Sequence, residues 1–259
     1  MPLAARLPPP GRLVLALGVL AACARGATRT DLSPAAPSPA SAAPSAAPDT
    51  TGATRIRFAR GTTSGILNDS LESGGSRRYV LEALQGQVML AHAIAWPPPR
   101  SGVTPPEPSV RVYEVAIGRE LPAKGGPGPL WFGRLPGSGD YLVWVAVVAP
   151  STYTLAVQIP RRVIVQGHQP ATFSGVAPSR APIDYLIRGE VGRTLEVSLA
   201  GADSATHLHI YGLDDGVQLA HLADRLRFYG GRLDTTEDYI VSVVPTEPDA
   251  GYEVTITLK

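Results

Sequence analysis

The sequence of 259 residues contains a single cysteine, Cys23. One cysteine cannot form an internal disulfide, so stability must come from packed hydrophobic cores, for which the chain is long enough. Beyond a short apolar run near the N-terminus, no stretch approaches the roughly 20 apolar residues that a transmembrane helix needs. These scarcities exclude a disulfide-stapled scaffold and predict that no helix of the chain spans a membrane.

An excess of charge of either sign is also missing. The chain has 23 basic and 22 acidic residues, and loss of an N-terminal segment that contains Arg6 and Arg12 would leave 21 against 22. Binding to nucleic acid requires clustered Lys and Arg that neutralise phosphates. The pairs Arg77-Arg78 and Arg161-Arg162 are isolated, so the composition predicts no nucleic-acid partner.

Motifs of catalysis and metal binding are missing as well. There is no Gly-x-Ser-x-Gly turn, no His-Glu-x-x-His and no phosphate-binding glycine loop. His207 and His209 have the i, i+2 spacing of some zinc sites but no third ligand nearby. Asp214 and Asp215 favour a turn over an acid/base pair, with a calcium loop as the alternative. We therefore expect a protein that is not an enzyme and binds no metal or cofactor.

The N-terminus has the pattern of an export signal. Two arginines precede the apolar segment Leu13–Leu20, which is too short to cross a bilayer. The sequence Leu20-Ala21-Ala22-Cys23 resembles the lipobox of bacterial lipoproteins. The resemblance implies cleavage of the signal peptide, residues 1–22, and a membrane anchor of acyl chains such as palmitate on Cys23, in which each buried methylene contributes about 0.8 kcal/mol. A secretory signal with an incidental cysteine is the alternative.

The residue after Cys23 and the segment that follows bear on localisation. Ala24 stands where an aspartate would favour the inner membrane, so the lipoprotein resemblance implies the outer membrane, facing the periplasm, if the cell is Gram-negative. Residues 23–53 are rich in Ala, Pro, Ser and Thr. Such a composition buries too little apolar surface to order itself, and we predict an extended tether.

Past the tether the sequence repeats itself. The alignment pairs Tyr79 with Tyr185, 133–145 with 231–243, and 153–157 with 252–256. We predict two homologous units, 54–160 and 161–259. The separation of aligned residues falls from 106 at Tyr79 to 98 at Tyr141, which assigns eight extra residues to the first unit, in the Pro-rich loop 97–108.

Each unit is predicted to be all-β. Apolar and polar residues alternate over 153–159 and 252–258, which is the period of a strand with one buried face. Helical spacing is nowhere sustained, and glycines such as Gly86 and Gly192 mark turns. Many short strands separated by Gly and Pro turns favour a β-sandwich over a parallel sheet.

The first unit resembles a known family. Arg55–Gly61, Tyr79–Gly86, Leu135–Tyr141 and the strand that begins at Tyr153 are similar to the bacterial pre-peptidase C-terminal domain and, equally, to the periplasmic inhibitors of goose-type lysozyme. The resemblance covers the first unit and, more loosely, the second. It implies tandem jelly-roll-like β-sandwiches that bind a partner and do not catalyse a reaction.

One motif within the resemblance concerns binding. Ser138-Gly139-Asp140-Tyr141 matches the Ser-Gly-x-Tyr motif that lysozyme inhibitors carry on a loop that enters the lysozyme cleft, which implies that Ser138, Gly139 and Tyr141 contact lysozyme. A small hydroxyl beside a flexible glycine can enter a carboxylate-lined cleft and donate hydrogen bonds there. The second unit keeps Tyr239 but has Thr236-Glu237 before it, and this favours an alternative in which the motif is only a turn ahead of a buried tyrosine.

Trp144 is the other candidate for binding. Its neighbours Val143 and Val145 are predicted to face inward, so Trp144 faces outward, where the second unit has Ser242. An outward tryptophan packs under the 97–108 loop or contacts a partner protein or glycan. Two functions stay open: an inhibitor of goose-type lysozyme that acts through Ser138, and a structural or peptidoglycan-binding module of the cell envelope that uses Trp144.

Overall fold

The computed structural model describes residues 48–96, 107–124, 126–165, 169–178, 181–200 and 205–259. The signal segment, Cys23, most of the tether and most of the Pro-rich loop lie outside these residues, so cleavage, lipidation and anchoring stay predictions. Over the described ranges, no helix is both long enough and apolar enough to cross a membrane.

The first β-sandwich is built from the N-terminal half of the described strands. These strands are β1 (Thr54–Arg55), β2 (Ser64–Leu71), β3 (Ser76–Ala83), β4 (Val88–Trp96), β5 (Ser109–Glu114), β6 (Arg119–Leu121), β7 (Leu130–Arg134), β8 (Gly139–Ala146) and β9 (Ser151–Gln158). Sheet A has the order β1-β3-β8-β5-β6, and sheet B has the order β2-β9-β4-β7. A short 3-10 helix, Val115–Ile117, joins β5 to β6.

The second β-sandwich repeats this arrangement. Its strands are β10 (Arg161–Val163), β11 (Ala171–Ala177), β12 (Ile183–Arg188), β13 (Thr194–Leu199), β14 (Thr206–Gly212), β15 (Gln218–Ala220), β16 (Phe228–Arg232), β17 (Asp238–Pro245) and β18 (Ala250–Leu258). Sheet C has the order β10-β12-β17-β14-β15 and sheet D the order β11-β18-β13-β16, which match sheets A and B position by position. A 3-10 helix, Leu222–Asp224, precedes β16. The prediction of an all-β, sandwich-like fold is confirmed.

A pair of tyrosines spans each core at the aligned positions. The hydroxyls of Tyr79 and Tyr153 lie 2.7 Å apart in the first sandwich, and those of Tyr185 and Tyr252 lie 2.9 Å apart in the second. Tyr79 also donates to the Asp69 carboxylate, at 2.9 Å. Each pair joins one sheet to the other, so it satisfies two buried hydroxyls and fixes the spacing of the sheets.

The two sandwiches pack against each other through sheets B and C. Val88, Leu90 and Phe132 of the first sandwich form one buried cluster with Leu186, Tyr211, Leu213 and Ile240 of the second. The four sheets therefore stack in the order A, B, C, D. The predicted boundary between residues 160 and 161 stays a prediction, because the described residues of both sandwiches belong to one compact unit.

Strand β9 differs from its prediction because of this stacking. The alternating pattern predicts one buried face, and Tyr153, Leu155 and Val157 do point into the core of the first sandwich. Residues on the other face, such as Thr154 and Gln158, are buried as well. The second sandwich covers this face, and the Gln158 side-chain amide donates to the carbonyl of Pro182 there, at 2.5 Å.

A buried polar cluster lies within the interface between the sandwiches. The side chain of Asp184 on sheet C is 0% exposed. Its carboxylate accepts a hydrogen bond from Ser242 Oγ at 2.5 Å and lies 3.2 Å from Nε2 of His92, which belongs to sheet B. Tyr211 is also buried here, and burial raises the pKa of its hydroxyl, with the Asp184 charge adding to the effect. The cluster joins the two sandwiches with directional bonds, which an apolar contact alone does not provide.

Asp238 joins the sandwiches at one corner of the same interface. Its carboxylate, 4% exposed, accepts hydrogen bonds from Arg134 of the first sandwich at 2.7 Å and from Arg162 at 2.9 Å. Hydrogen bonding from Arg162, and secondarily from Arg134, lowers the pKa of Asp238 from 3.8 to about 2, against the opposing effect of burial. The folded state therefore favours the ionised carboxylate.

This ion pair predicts a loss of stability in acid. Because the pKa of Asp238 is lower in the folded state, the stability that it contributes is complete above about pH 5. It is lost as the pH falls through about 2, which lowers the free energy of unfolding by about 2 kcal/mol. Urea unfolding at pH 5 and pH 2 measures the change in the free energy of unfolding. Asp238→Asn should show a pH dependence that is smaller by this amount, and an unchanged dependence would contradict the assignment.

Candidate functional site

The Ser-Gly-x-Tyr motif lies at one end of the first sandwich. The loop between β7 and β8, residues 135–138, faces the turn between β3 and β4. Ser138 is exposed, and its Oγ accepts a hydrogen bond from the backbone N–H of Gln85 at 2.9 Å. No residue in the described ranges accepts a bond from this hydroxyl, so its hydrogen can be donated outward. Leu84, in the neighbouring turn, is 59% exposed and adds apolar surface beside the loop.

Tyr141 lies beneath the loop rather than at its tip. The residue is 1% exposed. Its hydroxyl donates to the carbonyl of Gly137 at 2.6 Å and accepts from the N–H of the same residue at 3.1 Å. Burial raises the pKa of Tyr141. The side chain holds the loop in shape from below, which makes it a positioning residue in this structure.

Gly139 leaves the side of the loop open. Its φ is +144°, a value that residues with a side chain rarely adopt, and nothing lies within 4 Å of the place where a Cβ would stand. A partner can therefore approach the backbone here without meeting a side chain.

The equivalent loop of the second sandwich shares the framework of the first. Thr236 Oγ1 accepts a hydrogen bond from the N–H of Val191 at 2.8 Å, as Ser138 does from Gln85. Tyr239 donates to the carbonyl of Thr235 at 3.0 Å, as Tyr141 does to that of Gly137. The hydroxyl bond and the buried tyrosine are thus features of both sandwiches.

The loops differ at the position of Gly139. The second sandwich has Glu237 there, which is 3% exposed and turns inward. Its carboxylate accepts hydrogen bonds from Asp214 N at 2.6 Å and Thr235 Oγ1 at 2.7 Å. Gly212 provides the room, since a Cβ on it would lie 2.8 Å from the Glu237 oxygens. The loop of the second sandwich is closed, whereas that of the first is open.

Two supporting residues of the first loop were not among the sequence-based candidates. Glu114 Oε2 accepts a hydrogen bond from Arg119 at 2.9 Å, and its Oε1 lies under Gly137, only 2.6 Å from where a Cβ would stand. Asp140 forms a two-point ion pair with Arg55, at 2.9 and 3.1 Å. Asp140 is far in sequence from Arg55, and Glu114 is joined to Arg119 across the connection between β5 and β6. Only the folded structure brings these two ion pairs to the loop.

Trp144 lies on the outer face of sheet A, as predicted from the alternation along β8. Its cross-strand neighbours are Arg78 and Arg111. The guanidinium of Arg111 lies 5.9 Å from the indole centroid, and the Tyr113 ring lies 6.2 Å away. The indole N–H is buried and makes no hydrogen bond within the described part of the chain. Whether the Pro-rich loop covers it falls outside that part.

His207 and His209, whose spacing is that of some zinc sites, have no third ligand beside them in the described ranges. His209 Nε2 lies 3.3 Å from the Gln218 side-chain oxygen, and burial lowers the pKa of both His207 and His209. Among the residues the structure describes, no group of three or more His, Cys, Asp or Glu side chains could hold a metal ion. The absence of a cofactor stays a prediction.

Comparisons with known proteins concern the fold. No protein-family model matches the chain, and no curated protein sequence does. Among solved structures, the chain is similar to Aeromonas hydrophila PliG, a periplasmic inhibitor of g-type lysozyme, with 23% identity, a TM-score of 0.32 and coverage of 41% of this chain and 94% of that one. For Salmonella Typhimurium PliG the values are 20%, 0.29, 38% and 98%. A triple jelly-roll protein of an archaeal virus matches with 12% identity, a TM-score of 0.26 and coverage of 78% and 59%.

Proposed function

We propose that this protein is a noncatalytic binding protein of the bacterial cell envelope that inhibits goose-type lysozyme through the β7–β8 loop of the first sandwich. The observation that carries the proposal is the contrast between the two loops. They share a framework, but only the first has an exposed hydroxyl next to an open glycine, whereas Glu237 closes the second.

The geometry of the loop suits a cleft lined by carboxylates. Glycoside hydrolases place two carboxyl groups on either side of the bond that they cleave. Ser138 accepts the N–H of Gln85, which fixes its oxygen and leaves its hydrogen for such a carboxylate. Tyr141 fixes the loop before binding, so little conformational entropy is lost when the partner arrives. The open side at Gly139 lets the backbone approach the cleft closely.

The lipoprotein signal and the tether support the location. Acyl chains on Cys23 would anchor the protein in the outer membrane of a Gram-negative cell, and residues 24–53 would carry the sandwiches into the periplasm. A lysozyme that enters the envelope would meet the inhibitor there.

A second candidate function rests on Trp144. The ring lies on the outer face of sheet A, with Tyr113 and Arg111 beside it. Aromatic rings flanked by planar donors suit the apolar faces and hydroxyls of sugars. In this alternative the protein binds peptidoglycan through the outer face of sheet A.

Lysis of a peptidoglycan suspension tests the first function. The chain from Ala24 to Lys259 is titrated against goose-type and chicken-type lysozymes, and stoichiometric inhibition of the goose-type enzyme is expected. Ser138→Ala should raise the inhibition constant roughly tenfold, because it removes a hydrogen bond to a charged group.

The control is Thr236→Ala, which removes the same turn bond from the closed loop. It should lower stability as much as Ser138→Ala does and leave inhibition unchanged. The proposal would be contradicted by an equal loss of inhibition in Ser138→Ala and Thr236→Ala, or by the absence of inhibition at a micromolar excess of the wild-type protein. In that case, sedimentation with insoluble peptidoglycan, compared between the wild type and Trp144→Ala, tests the alternative.

A further inference from the structure

Asp140 and Asp238 occupy equivalent positions near the starts of β8 and β17, 98 residues apart in the aligned repeat. Asp140 accepts two hydrogen bonds from the guanidinium of Arg55, at 2.9 and 3.1 Å. Asp238 accepts two from that of Arg162, both at 2.9 Å. The two arginines lie on equivalent strands, β1 and β10, each of which runs parallel to its neighbour in the sheet. Both sandwiches therefore contain the same carboxylate and the same internal arginine.

Asp238 has a second arginine, which comes from outside its sandwich. Arg134 of the first sandwich donates to Oδ2 of Asp238 at 2.7 Å. A carboxylate has about four lone-pair sites, and the two-point pair with Arg162 uses only two of them. With both arginines in place the Asp238 side chain is 4% exposed, and their hydrogen bonds, first from Arg162 and then from Arg134, lower its pKa to about 2. A carboxylate at this position can therefore be buried in its ionised form between two guanidiniums.

Asp140 has only one of these two partners in the described part of the chain. Its carboxylate bonds there to Arg55 alone, and its side chain is 40% exposed. The Glu82 carboxylate lies 3.7 Å from the same guanidinium, so two negative groups share one positive group. Asp140 thus offers a free bonding position and a local excess of negative charge, both of which suit a cation.

The free position of Asp140 lies beside the β7–β8 loop. Only Gly139 separates Asp140 from Ser138, and Asp140 faces the outside of sheet A because Tyr141 points into the core. Sheet A corresponds to sheet C, whose outer face receives the first sandwich and with it Arg134. A protein that contacts the Ser138 hydroxyl and extends over sheet A would bring its own side chains to Asp140.

We propose that Asp140 is a specificity-determining contact, which accepts hydrogen bonds from an arginine that the bound lysozyme presents beside its cleft. This inference rests on the proposed function, because it names a second contact of the same loop. The arginine takes the place that Arg134 has on Asp238. A guanidinium suits this place better than an ammonium, because it is more weakly hydrated and costs less to bury in an ion pair.

Inhibition of goose-type lysozyme by the chain from Ala24 to Lys259 tests the proposal. Asp140→Asn should raise the inhibition constant roughly tenfold, because a charge-assisted hydrogen bond is lost and Arg55 is left facing the arginine of the lysozyme. The matched control is Glu82→Gln, which removes the same charge from the residue opposite Asp140 on β3. It should change the constant by less than roughly threefold, as expected of an exposed charge at the rim of a contact. Circular dichroism reports whether each variant is folded.

Arg55→Met separates a direct contact from a structural role. If Asp140 bonds to lysozyme, removal of Arg55 leaves the whole carboxylate to the arginine of the partner, and the inhibition constant should fall. If Asp140 only fixes the loop through Arg55, Arg55→Met and Asp140→Asn break the same pair, and both should raise the constant. A rise in Arg55→Met, or an equal rise in Asp140→Asn and Glu82→Gln, would overturn the assignment of Asp140.

The wild-type protein separates this inference from the proposed function. Absence of inhibition by the wild type would contradict both of them. Inhibition by the wild type that Asp140→Asn retains in full, while Ser138→Ala weakens it, would contradict the arginine contact alone and leave the Ser138 contact in place.

Discussion

Replacing Leu90 with glutamate is expected to separate the two sandwiches without unfolding either of them. Leu90 is fully buried in the cluster between sheets B and C. At the equivalent position sheet D has Glu196, and sheet D forms the same four strands. A glutamate is therefore compatible with the strand but not with the interface, where it would bury an unpaired carboxylate and remove an apolar contact, at a cost of roughly 4 kcal/mol of docking free energy.

Small-angle scattering and calorimetry measure this separation. The radius of gyration should increase, and the single thermal transition expected of the docked chain should split into two. Glu196→Leu is the matched control, since it makes the reverse exchange on a face that contacts no other sheet in the described structure. If Leu90→Glu keeps the compact scattering profile and one transition, the interface does not depend on this cluster.

Removal of the Asp184 carboxylate is expected to lower the free energy of unfolding by about 3–5 kcal/mol, which is the usual cost of breaking a buried polar pair from one side. Asp184→Ala leaves His92 and Ser242 buried without their acceptor and creates a void between the sheets. Urea unfolding of the wild type and the variant measures the loss.

A double-mutant cycle with His92→Ala separates the contact from the void. The losses in the free energy of unfolding should be non-additive by about 2 kcal/mol. Once Asp184→Ala has removed the acceptor, His92→Ala has no contact with it left to break. Arg78→Ala is the control at the equivalent position of sheet A, where the side chain pairs with Asp49 on the surface, and it should cost less than about 1 kcal/mol. Equal losses for Asp184→Ala and Arg78→Ala would mean that the buried cluster does not stabilise docking.

The strands and their inward faces could be predicted because burial on one side leaves a period of two in the sequence. Tyr153 and Tyr252 illustrate this, since both begin an inward row that the alignment identifies. The docking of sheet B on sheet C could not be predicted from β9, whose outer residues Thr154 and Gln158 are typical of a solvent-facing row. The sequence of β4 does indicate the docking, because residues 88–91 are all apolar. In β13, the equivalent strand of the second sandwich, polar and apolar residues alternate over 194–199. A continuous apolar run is typical of a strand covered on both faces.

The candidate site was predictable only in part. The alignment of Ser138 with Thr236 already indicates that a hydroxyl is needed for the turn, and both accept the same backbone N–H. The inward rotation of Glu237 could not be predicted, because it depends on Gly212, which a different strand brings beside it. The openness of the first loop therefore emerges only from the folded structure.

Two polar residues on the outer face of sheet D, Thr194 and Glu196, bear on assembly. Sheet C docks on sheet B in a head-to-tail manner, and a head-to-tail contact does not close on itself, so the same contact made between molecules would build an open filament. Sheet A corresponds to sheet C, so it could dock in the same way on a neighbouring molecule. The sheet that it would meet there is sheet D, which corresponds to sheet B and would need the same apolar residues. Sheet D has Thr194 and Glu196 where sheet B has Val88 and Leu90. Thr194 and Glu196 therefore oppose a repeat of the internal contact between the sheet D of one molecule and the sheet A of the next.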